Sequence, residues 1–136
     1  MESTIAPVPN VERPRVVTRA VQILMSALAL GLVTAIFQAA QKVSGAQLVF
    51  ASLIVIAVFG LGFFLITKIA RRRNWARIVL VVLVLFGLPF AIRGHLQEIK
   101  RNVPAGTVGI TITVLQLVGT SLLFTKQSNV WFRKRQ

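Results

Sequence analysis

Residues 47–67 read QLVFASLIVIAVFGLGFFLIT and contain no charged side chain. A helix of about 20 residues crosses the hydrocarbon core of a bilayer, which is about 30 Å thick. A soluble protein of 136 residues cannot bury several segments of this kind in one core. We therefore expect this stretch to be a transmembrane helix.

Three further apolar stretches of similar length lie at about 17–40, 75–92 and 104–124. Hydrophobic residues make up 55% of the chain and charged residues only 14%, which is too apolar for a soluble domain of this size. The predicted fold is therefore an all-α, polytopic membrane protein with a four-transmembrane-helix bundle. We expect a disordered cytoplasmic arm at 1–16, the transmembrane domain at 17–125 and a basic cytoplasmic tail at 126–136.

Two of the apolar spans carry features with alternative interpretations. The basic start of the first span is also typical of a signal peptide, but Gln38 is a poor third residue before a cut after Ala40, which favours an uncleaved helix. Pro89 predicts a kink in the third span. Segment 93–103 has apolar residues at helical spacing, which favours either an extension of the third helix or an interfacial helix.

The cations are distributed unevenly around the spans. Twelve of the 16 lysines and arginines precede the first span, separate the second from the third or follow the fourth, and four lie in the other connections. Cytoplasmic loops carry the excess of cations, so both termini are predicted to be cytoplasmic. The short basic runs beside apolar spans indicate contact with anionic lipid headgroups and not with nucleic acid, although the net charge is +13.

The sequence lacks most of the residues that carry chemistry. It has no cysteine and one histidine, His95, and its three acids are Glu2, Glu12 and Glu98, none of them inside an apolar span. His95 and Glu98 are too few ligands to hold a metal ion, so we interpret His95 as part of a solvated loop. We expect no enzyme activity, no cofactor and no metal site, because an acid/base or nucleophile pair is missing.

Small and polar residues form two stripes on the first span. The candidate helix-packing residues are spaced four apart: Ala27, Gly31, Ala35 and Ala39. The candidate intramembrane polar residues are Thr34 and Gln38 on the first span and Thr113 and Gln116 on the fourth. Gln116 needs a hydrogen-bond partner in hydrocarbon, which Gln38 or Thr34 could supply, and Thr34 matches its depth better. Such groups serve either as interhelical packing and hydrogen bonds or as the lining of a polar pathway.

The run before the third span is the most motif-like segment of the chain. The candidate lipid-headgroup residues are Arg71, Arg72, Arg73, Trp75 and Arg77. The simpler interpretation is a topology determinant with an indole anchor, and the two are compatible. Trp131, in the basic tail, is expected at the same cytoplasmic interface as Trp75.

Several short segments resemble those of a group of small bacterial inner-membrane four-helix proteins. They are RNWAR at 73–77, GLP at 87–89, LQL at 115–117, LLFT at 122–125 and WFR at 131–133. The resemblance covers most of 17–133 and implies the fold and an inner-membrane location only, because the group has no assigned activity. The small multidrug transporters and the fluoride channels fit worse, since the first kind needs a membrane-embedded acid and the second Asn/Gly/Arg patterns that are missing here.

Two functions of different kinds are compatible with these features. The first is a non-enzymatic membrane module that associates with itself through the small-residue stripe, or serves as an accessory subunit of a larger membrane partner. The alternative is a small transporter or channel component that uses the polar stripe to pass an uncharged or anionic solute. The lack of an intramembrane acid disfavours coupling to protons or cations.

Overall fold

A computed structural model describes residues 12–42 and 45–133 of the chain. Its five helices are α1 (Arg15–Lys42), α2 (Ala46–Ala70), α3 (Asn74–Arg101), α4 (Val103–Leu122) and α5 (Lys126–Arg133). Helices α1 to α4 are each long and apolar enough to cross a membrane. The predicted all-α four-helix bundle is confirmed, and the architecture is that of a multi-pass membrane protein. Most of the predicted arm, 1–11, lies outside the described residues.

The four long helices form a ring in which consecutive helices run in opposite directions. Helix α1 packs against α2 and α4, and α3 packs against the same two helices. One end of the ring holds the start of α1, the α2–α3 connection and α5. There Arg13, just before α1, donates a 2.7 Å hydrogen bond to the carbonyl of Ala70 at the end of α2. We call this the basic end, and the end with the α3–α4 connection the polar end. Both ends of the described chain therefore lie at the basic end.

The tightly packed core occupies only the half of the bundle nearest the basic end. Its buried side chains come from the first half of α1, the last turns of α2, the first turns of α3 and the α5 region: Val17, Ala20, Leu24, Leu65, Ile66, Ile69, Ala76, Leu80, Val84, Leu123, Trp131 and Phe132. Toward the polar end the large apolar residues are mostly exposed on the outside of the ring, where lipid would surround them. The inside of that half is correspondingly less filled.

A tight turn connects α2 to α3 at the basic end. The amide of Arg73 donates to the carbonyl of Lys68, and that of Arg72 donates to Ile69, both at 3.0 Å. This pair of bonds is the Schellman pattern, in which the residue after the C-cap adopts a left-handed conformation. Arg72 holds that position with a φ of 62°, where glycine is the usual residue.

Helix α3 is longer than the sequence predicted. It continues through Pro89 as one element and past residue 92 to Arg101, so residues 93–101 extend the third helix and do not form a separate interfacial helix. Asn102 then serves both neighbours: its amide donates to Glu98, at 2.7 Å, and its side-chain oxygen accepts from Ala105 at the start of α4. One residue therefore suffices to reverse the chain.

Two glycines allow this helical hairpin to close. A Cβ atom at Gly106 would lie 2.6 Å from the backbone nitrogen of Ile99, and one at Gly109 would collide with the ring of His95. Real Cβ atoms do not approach backbone so closely, so the two helices touch here because α4 presents no side chain. The polar end of the hairpin is held by this contact, and both glycines are buried.

Candidate functional site

A polar cavity of about 360 Å³ lies between α1, α3 and α4 at the polar end. We call it the mouth cavity. Its polar lining consists of Thr34, Gln38, His95, Gln97, Glu98 and Arg101. Neutral hydrogen-bonding groups, one carboxylate and one guanidinium thus face the same space. The cavity can hydrogen-bond a small polar molecule at the edge of the membrane.

A second cavity, of about 390 Å³, lies deeper and is lined by residues of all four long helices. We call it the inner cavity. Its walls are mainly aliphatic and aromatic, including Leu28, Phe59 and Leu80, while Thr113 and Gln116 supply polar groups. Gly87 also lines it, and a Cβ added there would meet nothing within 4 Å. The inner cavity suits a compact group that is largely apolar.

The two cavities share part of their lining. Gly31, Ala91 and Ile112 line both the mouth cavity and the inner cavity. Gly31 and Ala91 are the small residues of this boundary, and a Cβ on Gly31 would come within 3.1 Å of the Phe59 ring. The boundary is therefore narrow, and its width depends on the small size of the residues at 31 and 91.

His95 lies on α3 and faces α4, so its interpretation as part of a solvated loop was wrong. Its Nε2 atom is 2.9 Å from the hydroxyl oxygen of Thr113, and that hydroxyl donates to the carbonyl of Gly109 at 3.1 Å. A hydroxyl has one hydrogen to donate, so a Thr113 hydroxyl that donates to Gly109 accepts from Nε2–H of a neutral imidazole, and one that donates to Nε2 pairs with the other tautomer. Segment 93–103 was ambiguous in sequence because Gly94 and Asn102 weaken its helical signal.

The predicted helix-packing stripe of α1 faces the inside of the bundle. Ala27 is 4% exposed and lines the inner cavity, Gly31 lines both cavities and Ala35 lines the mouth cavity, while Ala39 is half-buried. The stripe therefore brings α1 close to α2 and α4 of the same chain. These packing contacts are made within one chain, and self-association of the protein stays a prediction.

The candidate intramembrane polar residues divide between the two cavities. Thr34 and Gln38 line the mouth cavity, and Thr113 and Gln116 line the inner cavity. The expected pairing of Thr34 with Gln116 was wrong: these two described residues share no hydrogen bond and line different cavities, and the Thr34 hydroxyl donates at 2.8 Å to the carbonyl of Leu30 on its own helix. All four residues nevertheless lie along the same interior.

The basic run is split by the structure into outward-facing and inward-facing residues. Arg71 and Arg73 are exposed, and Trp75 is 46% exposed with its ring near that of Phe64. Arg72 instead turns to α5, where its Nη2 donates at 2.6 Å to the carbonyl of Trp131 and its guanidinium lies 4.8 Å from the centre of that ring. Trp131 therefore lies at the same end of the bundle as Trp75, but at 4% exposure it packs inside the protein and not against lipid.

Arg77 is enclosed by residues that follow α4. Its guanidinium lies 5.1 Å from the centre of the Phe124 ring and 4.7 Å from that of Phe132. Its Nη1 donates at 2.7 Å to the side chain of Asn129 and at 3.3 Å to the carbonyl of Leu123. Sequence reasoning missed Asn129 and α5, because the tail was interpreted by its charge alone and no local pattern shows which residues it meets.

The chain was compared with protein-family models, with curated proteins and with solved structures, and none of these comparisons gave a match.

Proposed function

We propose that this protein is a non-enzymatic membrane protein that binds a small uncharged solute inside its four-helix bundle and passes it along the bundle axis. The observation that carries the proposal is the boundary of Gly31, Ala91 and Ile112 shared by a polar mouth cavity and a mainly apolar inner cavity. A route from a polar entrance to an apolar interior fits a solute with both kinds of surface.

The chemistry of the lining favours an uncharged solute. Beyond the mouth cavity, the polar groups on the route are the hydroxyl of Thr113 and the amide of Gln116. A charged solute would lose its hydration there without an opposite charge to replace it, whereas an uncharged one needs only hydrogen bonds. An anionic solute is the alternative, drawn to Arg101 at the mouth.

Water access to Gln116 tests the route directly. The chain has no cysteine, so Gln116→Cys provides a single thiol that a water-soluble methanethiosulfonate reagent modifies only where water ionises it. We expect labelling of Gln116→Cys in proteoliposomes. The matched control is Val114→Cys, whose position is 51% exposed on the outside of the ring and would face lipid.

A second substitution tests the boundary between the cavities. Ala91→Leu adds three carbons where the mouth meets the inner cavity, and we expect it to slow labelling of Gln116→Cys at least about tenfold. Ala29→Leu makes the same change at an exposed position on α1 and should leave the rate unchanged. Equal labelling of Gln116→Cys and Val114→Cys, or no effect of Ala91→Leu, would contradict the proposed route. Glycerol uptake by proteoliposomes, followed by light scattering, then tests passage of an uncharged solute.

A second candidate function is that of a membrane module which associates with itself or serves as an accessory subunit. It is favoured by Gly60, where an added Cβ would meet nothing within 4 Å, beside the exposed Ala57 on the outer surface of α2. Small residues on a lipid-facing surface allow another helix to approach. If this surface mediates association, Gly60→Leu should convert an oligomer in mild detergent to a monomer, with Ala29→Leu as the control at an exposed small residue of another helix.

We further propose that the basic end faces the cytoplasm of a bacterial cell and that the membrane is the inner membrane. The proposal is supported by the excess of cations at that end and by the resemblance of the segments at 73–77 and 131–133 to small bacterial inner-membrane proteins. Anionic lipid headgroups are then the partners of this end. A reporter that is active only in the cytoplasm should be active when it is fused to either terminus. Reporters found on opposite faces of the membrane would overturn this orientation.

A further inference from the structure

A small cavity at the basic end is separate from the mouth and inner cavities. It has a volume of about 190 Å³ and lies between the first turn of α3 and the helix α5. Its lining consists of Asn74, Arg77, Asn129 and Arg133. Two guanidinium groups and two amides thus share one partly open cavity at the basic end, and none of the four residues lines the cavities of the proposed function.

The guanidinium of Arg77 has unused capacity to bind an anion. Its Nη1 makes two hydrogen bonds, but its Nε is buried and has no partner. Among the residues that the structure describes, no carboxylate contacts this guanidinium; its neighbours are a carbonyl, an amide and two aromatic rings. A half-buried charge without a counterion is costly, and a bound anion would remove that cost.

Asn74 adds a second unsatisfied group to the same cavity. Its Oδ1 is buried and has no partner. Rotation of the amide exchanges this oxygen for Nδ2, which turns the side chain into a donor toward an anion. Asn74 is also the first residue of the 28-residue helix α3, whose N-cap side chain makes no capping bond. The positive end of the helix dipole therefore adds to the two guanidinium charges.

We propose that this cavity is a binding site for a phosphate group, held by Arg77 and Arg133 with Asn74 as a further donor. A phosphate offers several acceptor oxygens to the two guanidinium groups and the amide, and a planar guanidinium donates to two phosphate oxygens at once. The two sources of such a group are the headgroup of an anionic lipid and a free phosphate ion. Because the cavity lies between α3 and α5, the bound phosphate would also hold α5 against the bundle.

The test measures binding to the purified full-length protein in a neutral detergent at constant ionic strength. Two probes are titrated by calorimetry: dihexanoyl phosphatidic acid and inorganic phosphate, with dihexanoylglycerol as the ligand that lacks the phosphate. We expect Arg133→Gln to weaken phosphate-dependent binding at least about tenfold, the effect of one lost charged hydrogen bond. Arg133 is exposed, so this variant keeps the buried contacts of α5.

Arg71→Gln is the matched control, because it removes the same charge from an exposed residue outside the cavity. We expect it to change the affinity less than about twofold. If phosphatidic acid binds tightly and inorganic phosphate does not, the source of the phosphate group is a lipid headgroup. If both probes bind equally, the source is the free ion. Absence of phosphate-dependent binding, or equal losses in Arg71→Gln and Arg133→Gln, would overturn the site.

Discussion

The guanidinium of Arg72 lies 4.8 Å from the centre of the Trp131 ring, and its Nη2 donates a 2.6 Å hydrogen bond to the carbonyl of the same residue. Arg72 makes these contacts from a backbone with φ at 62°, which costs a residue with a side chain about 1–2 kcal/mol. A stacked cation contributes about 0.5–2 kcal/mol and a hydrogen bond from a charged group about 1.5–3 kcal/mol. The side-chain contacts therefore outweigh the strain, and Arg72 fastens α5 to the turn between α2 and α3.

Two substitutions at Arg72 separate these opposing effects. Arg72→Ala loses the contacts and keeps the strain, so we expect the free energy of unfolding to fall by about 2 kcal/mol. Arg72→Gly loses the contacts but relieves the strain, so the expected loss is about 1 kcal/mol. Unfolding in mixed micelles can be followed by the fluorescence of Trp131 in a Trp75→Phe background, since the chain has two tryptophans. A glycine variant more stable than the parent would contradict this balance.

The hairpin of α3 and α4 should be sensitive to one added methyl group. At Gly106 this group would meet the backbone of Ile99, which cannot rotate away. We expect Gly106→Ala to destabilise the protein by about 1–3 kcal/mol, the usual cost of overpacking. Gly94→Ala is the control on the same hairpin, because its added Cβ meets nothing within 4 Å and improves helix propensity. Thermal unfolding in detergent compares the two, and similar midpoints would show that the helices are not in close contact.

The pairing of His95 with Thr113 predicts one tautomer of the neutral imidazole. Because the Thr113 hydroxyl donates to Gly109, His95 should carry its proton on Nε2. Nitrogen chemical shifts of the labelled histidine, the single one in the chain, report this directly. We expect the Nε2-protonated form to dominate and its excess to decrease in Thr113→Val. Dominance of the Nδ1-protonated form in the parent protein would refute the assignment.

Phe132 should contribute more to stability than any lipid-facing phenylalanine. It is 2% exposed, packs edge-on against Trp131 and covers the guanidinium of Arg77. We expect Phe132→Ala to cost about 3–5 kcal/mol, as for other buried aromatic residues. Phe90, which is 76% exposed, supplies the matched control, and Phe90→Ala should change stability little. Equal effects of the two substitutions in mixed-micelle unfolding would show that α5 does not pack on the bundle.

The number and order of the long helices could be predicted from sequence, because spanning a bilayer requires a continuous apolar segment of fixed length. The ends of the helices were less accurate where polar residues lie inside a helix. Helix α3 continues to Arg101 because α4 packs closely against its last turns through Gly106, a contact that compensates for the weak apolar pattern after Ile92. Local periodicity does not contain that contact.

The candidate site was predicted only in part, for a related reason. The polar stripe of Thr34 and Gln38 on α1 could be found from its spacing, and both residues line the mouth cavity. His95 was missed because its role depends on meeting Thr113, 18 positions away, and the enclosure of Arg77 depends on α5, about 50 positions away. These pairings follow from the way the helices close into a ring. A single sequence does not report them.

Because the packing is concentrated at the basic end, each long helix tilts about the point where it is packed there. A helix rises about 1.5 Å per residue, so about 15 residues beyond the packed half extend about 22 Å. Tilting one helix by about 5° moves its far tip by about 2 Å. The same tilt hardly displaces Leu65 or Phe132, which lie in the packed half. Small rotations of the long helices therefore change the width of the opening at the polar end while the packed half at the basic end stays in place.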